Sequence, residues 1–71
     1  MNLKKVDSGM VYAIGYDSRS KTLEVVFRSG KVWVYEEVPE KVYQELLKSK
    51  SIGSYMRENI IDCYPSYPIR R

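Results

Sequence analysis

An α+β fold is predicted for this 71-residue chain: a three-stranded antiparallel meander, two short helices packed on one sheet face, and an extended C-terminal tail. Three observations predict it. Apolar residues alternate with period two in three segments between Met10 and Glu37. Turn-forming residues separate those segments. From Pro39 onward the apolar spacing changes to that of amphipathic helices.

The first strand, MVYAIGY over residues 10–16, places Met10, Tyr12, Ile14 and Tyr16 on one face, with Val11, Ala13 and Gly15 on the other. The polar cluster DSRSK turns the chain into the second strand, residues 22–28, where Leu23, Val25 and Phe27 oppose Glu24, Val26 and Arg28. Ser29 and Gly30 read as a two-residue hairpin loop, glycine being free to take positive φ. That loop pairs Arg28 with Lys31, Phe27 with Val32, Val26 with Trp33, Val25 with Val34 and Glu24 with Tyr35. Leu23, Val25, Phe27, Val32 and Val34 then share an apolar core face, and Trp33 and Tyr35 lie opposite it with Arg28 and Lys31. Pairing Asp17 with Thr22 adds Tyr12, Ile14 and Tyr16 to the core face. A slip of one residue would exchange the faces.

Pro39 suits the first position of a helix, where its missing N–H costs nothing. In PEKVYQELLKS, Val42, Tyr43, Leu46 and Leu47 form the inner stripe, and the acids near its start and lysines near its end suit the helix dipole. Ser51 reads as the N-cap of a second helix, SIGSYMRENII, with Ile52, Tyr55, Met56 and Ile60 inside. Two Tyr-Pro steps keep the remainder extended. The chain is thus one domain over residues 1–71, with 1–8 as an N-terminal arm and 62–71 as a tail.

Composition bounds the function. The chain is 44% hydrophobic and 30% charged, with a formal net charge of +3, which is compatible with a polyanionic partner and equally with solubility alone. No apolar stretch approaches a membrane span and no signal-like segment opens the chain, so a cytoplasmic location is expected. Histidine is absent and Cys63 is the single cysteine, which removes the commonest general base, a thiol–imidazole pair and a zinc site. Neither an enzyme nor a metal or cofactor is expected.

The order and spacing of several fragments resemble the KTSC domain family. They are Ser8, IGYD at 14–17, Leu23 with VVF at 25–27, Gly30, Tyr35, Val38-Pro39, Tyr43, Leu46, the run SIGSY at 51–55, Ile60 and Tyr64. The family's central YxY motif stands here as Trp33-Val34-Tyr35. Members occur at the C-terminus of some lysyl-tRNA synthetases and as stand-alone bacterial or phage proteins. The resemblance implies no established activity; a role in RNA binding is suggested by that attachment.

Two candidate sites follow. Trp33 and Tyr35, flanked by Arg28 and Lys31, form a stacking platform with cations for phosphate. The same aromatics also fit a self-association interface, or a contact with Tyr64 and Tyr67 of a folded-back tail. The helix start at Ser51, with Gly53 and with Arg57 one turn on, forms an anion site; ordinary capping and close packing at Gly53 explain it as well. Arg70-Arg71 could touch phosphate or simply be solvated. The expected function is a small non-enzymatic binding module for RNA or another nucleotide-bearing ligand. The alternatives are a protein-interaction or self-assembly module, and a homo-oligomer that sequesters a small nucleotide, as a phage protein would.

Overall fold

The hairpin after Phe27 decides the arrangement of the whole sheet. In the computed structural model, which describes residues 2–69, the loop has three residues rather than two. The Gly30 N–H donates to the Phe27 carbonyl at 2.9 Å, and the Phe27 N–H donates to the Lys31 carbonyl at 2.9 Å. Gly30 takes φ +93°. A turn closed by a residue in the left-handed region is the usual three-residue hairpin, and glycine supplies that conformation without strain. The extra loop residue shifts the register by one, pairing Leu23 with Tyr35, Glu24 with Val34, Val25 with Trp33 and Val26 with Val32. Trp33 and Tyr35 therefore share a face with Leu23 and Val25, and the expected pairing is corrected.

The sheet has five antiparallel strands in sequence order, not three. They are β1 (Leu3–Lys5), β2 (Val11–Asp17), β3 (Thr22–Phe27), β4 (Val32–Tyr35) and β5 (Ser66–Ile69). The segments expected as arm and tail supply the two edge strands. Leu3 to Lys5 pair with Gly15 to Ala13, and Ile69 to Ser66 pair with Val32 to Tyr35. Edge strands carry little apolar alternation, and β5 holds a proline, which an edge position tolerates. The Arg70-Arg71 pair lies outside the described residues.

The β2–β3 hairpin keeps the expected register from Asp17–Thr22 to Ala13–Val26, then shifts at a bulge so that Val11 faces Phe27. The extra residue turns Val11 into the core, where it is fully buried, and leaves Tyr12 41% exposed. Tyr12 was expected in the core, and the bulge removes it.

Helix α1 spans Glu40–Lys48 with Pro39 as N-cap, one residue outside the expected start. Helix α2 spans Ile52–Tyr55, and the Ser51 side chain accepts the Ser54 N–H. The chain continues as a π-helical turn over Met56–Ile60. Leu46, Ile52, Met56 and Ile60 pack on Val11, Ile14, Leu23, Val25 and Tyr35, with Val38 completing the core. Glu37, at φ +61°, turns the chain off the sheet and lets Val38 enter. The Val38 carbonyl accepts the Tyr16 hydroxyl at 2.5 Å, and Tyr16 stacks on Tyr43 with centroids 4.6 Å apart. Tyr43 and Tyr55 lie at the rim of the core, as the helical stripes predict. No helix among the described residues is long and apolar enough to cross a membrane.

Candidate functional site

Trp33 and Tyr35 line an open groove of about 290 Å³ together with Phe27, Ile61, Asp62 and Ser66. Strand geometry supplies the aromatic wall. Phe27 on β3 and Trp33 and Tyr35 on β4 share the helix-facing side of the sheet, and Ser66 on β5 lies opposite Tyr35. The other wall follows the π-helical turn. The Ile61 N–H donates to the Met56 carbonyl at 2.7 Å, which closes that wide turn. Asp62 then adopts φ +64°, a conformation aspartate tolerates better than most residues, and the chain reverses towards β5.

The groove is asymmetric in burial and charge. Tyr35 is 3% exposed and belongs to the core, whereas Trp33 is half-buried against it, with Pro68 as its β5 neighbour. No hydrogen bond of the Tyr35 hydroxyl to another described residue is formed. Burial raises the Tyr35 phenol above its ordinary pKa, and the nearby Asp62 charge raises it further. Among the described residues no cation lines the groove. In chemical terms the groove sets aromatic faces beside a carboxylate that can accept N–H donors and two hydroxyls that can donate or accept.

The remaining predicted site residues fall elsewhere. Arg28 donates from Nε to the Ser8 carbonyl at 2.6 Å, and its Cζ lies 5.8 Å from the centroid of the Tyr12 ring. Lys31 is exposed at the base of the hairpin loop, where its carbonyl accepts the Phe27 N–H. Ser51 is engaged as a cap and also donates to the Ser54 hydroxyl at 3.1 Å. Gly53 is buried, and a Cβ there would meet the Met10 Cβ at 3.4 Å, so this glycine allows helix and sheet to approach. Arg57 directs Nη1 to the Met10 sulfur at 3.6 Å. The structure thus brings Trp33 and Tyr35 together and separates them from Arg28, Ser51, Gly53 and Arg57. Among the described residues no cluster of acids, cysteines or histidines could hold a metal ion.

Residues 7–64 match the family model of the KTSC domain. The chain belongs to the KTSC domain family. It is 38% identical over 53 residues to an uncharacterized protein of Stutzerimonas stutzeri, covering 75% of each chain. A protein of Tsukamurella paurometabola is 33% identical over 54 residues, covering 76% of this chain and 81% of that one. The crystal structure of a KTSC domain protein from Yersinia pestis superposes with a TM-score of 0.94 at 28% identity, over 96% of both chains. The KTSC match ends at Tyr64, so β5 and its Ser66 groove residue lie beyond the matched span.

Sequence reasoning missed Phe27, Ile61, Asp62 and Ser66 as site residues. Phe27 was on the correct face and needed only the correct partner strand. Asp62 and Ser66 carry no local signal, because a π-helical turn and an edge strand place them.

Proposed function

We propose that this KTSC domain is a non-enzymatic binding module whose Trp33 groove receives the base of RNA or of a smaller nucleotide-bearing ligand. The observation that carries this reading is the combination of three aromatic side chains with a carboxylate and hydroxyls in a groove of about 290 Å³. That size suits one ring system, near the small end of ligand pockets. Aromatic faces stack on a base for about 1–3 kcal/mol, and Asp62 pairs with the N–H donors of its edge. Phosphate points out of the groove, away from Asp62.

Trp33 is the sole tryptophan, so its fluorescence reports the groove directly. Titration with each mononucleotide and with short single-stranded RNA is expected to quench it saturably. Asp62→Asn and Ser66→Ala are expected to weaken the response several-fold while leaving the fold intact. Unchanged Trp33 fluorescence up to millimolar nucleotide and micromolar RNA would overturn the reading. If Trp33→Phe instead alters the sedimentation mass and no nucleotide responds, the aromatics serve protein contacts.

A further inference from the structure

The opposite side of the β2–β3 hairpin carries a second aromatic centre with different chemistry. The bulge between Val11 and Ala13 turns the Tyr12 ring outward. Lys5 on β1 places Nζ 5.5 Å from the ring centroid, and Arg28, just after β3, places Cζ 5.8 Å from it. Each contact holds a cation against the ring and limits its freedom. Arg28 is held further by its Nε donation to the Ser8 carbonyl. A guanidinium has five N–H donors, so the Nη donors stay available beyond that bond. Lys5, Tyr12 and Arg28 are all exposed.

From this arrangement we infer that Lys5, Tyr12 and Arg28 form a binding site for the backbone of single-stranded nucleic acid. Arg28 presents its Nη donors to a phosphate, Lys5 adds a second positive charge, and the exposed ring and guanidinium plane give an adjoining base a flat surface. A nucleotide unit uses all three groups, whereas a lipid headgroup uses only the cations. The site is separate from the Trp33 groove, and the inference stands whether or not that groove takes a base.

The test is fluorescence anisotropy of a labelled short oligouridylate with the full chain, at about 30 mM and about 150 mM salt. Wild type should bind at low salt and weaken steeply at the higher concentration. Lys5→Ala and Arg28→Ala should each lose several-fold in affinity and lower the salt slope by about one. Arg28→Lys, which keeps charge but loses the planar donors, should fall between, and Tyr12→Ala should lose affinity with little change in slope. Lys5→Ala removes no hydrogen bond seen here, so its circular dichroism should match wild type. The inference is overturned if wild type fails to bind at low salt, if Lys5→Ala and Arg28→Ala both bind like wild type, or if anionic vesicles are bound and the oligouridylate is not.

Discussion

The Trp33 groove and the Tyr12 centre are two aromatic sites on one small sheet, and one extra residue produced each of them. At Trp33 the extra residue sits in a hairpin loop and turns the ring towards the helices. At Tyr12 it sits within a strand and turns the ring out among cations. The consequences are opposite. Tyr35 and Trp33 are bound into the core and meet a carboxylate, so that region joins stability to ligand choice. Tyr12 stands outside the core cluster, with Lys5 and Arg28 over its ring. Backbone irregularity thus decides both exposure and charge where side-chain type would suggest the same role.

The sharpest way to break this contrast is to remove one residue between the loop and Trp33. Deleting Val32 keeps the three-residue loop but would set Trp33 opposite Val26, Val34 opposite Val25 and Tyr35 opposite Glu24, turning Trp33 and Tyr35 outward. The expected outcome is loss of the cooperative unfolding transition, read by urea titration with circular dichroism. A cooperative transition close to that of wild type would show that core packing alone sets the register.

A smaller effect compares the two tyrosines. Tyr35→Ala empties a site 3% exposed and should cost about 3 kcal/mol, the scale of large-to-small changes in cores. Tyr12→Ala removes a ring 41% exposed and should cost under about 1 kcal/mol. Denaturant midpoints of both variants check the difference, and equal losses would refute the division into a structural and a free aromatic.

The least perturbing test is pH. Tyr16, Tyr35 and Tyr55 all have phenols raised above the ordinary value, first by burial. Asp62 adds to this at Tyr35, Glu40 and Asp17 at Tyr16, and Glu45 at Tyr55. The folded state therefore holds these protons more tightly than the unfolded chain. Their contribution is fully present below the unfolded value of about 10 and is lost as pH rises through the higher folded values. Stability should fall above pH ~10, and Tyr35→Phe should flatten part of that decline. An unaltered profile in Tyr35→Phe would remove Tyr35 from the account.

Much of the fold was legible because each signal was local. Thr22 to Phe27 alternate cleanly, Pro39 and Ser51 mark the two helix starts, and the polar run 17–21 sets the β2–β3 pairing at Asp17–Thr22. The two edge strands were not legible. Leu3 to Lys5 and Ser66 to Ile69 bury little surface and so need no hydrophobic pattern of their own. The candidate groove was half legible, since its aromatics stand out by type while Asp62 arrives through a reversal that no nearby residue announces.

By itself the sequence determined where the central strands and the helices lie, through period and breaker residues, and that the chain carries the fragments shared by KTSC domains. It did not determine which face of β4 meets the core. Val32 and Val34 are as apolar as Trp33 and Tyr35, so alternation alone cannot choose between them. The tertiary structure chose, because a loop with Gly30 in the left-handed region places Val25 opposite Trp33, and the helices pack on the face that results.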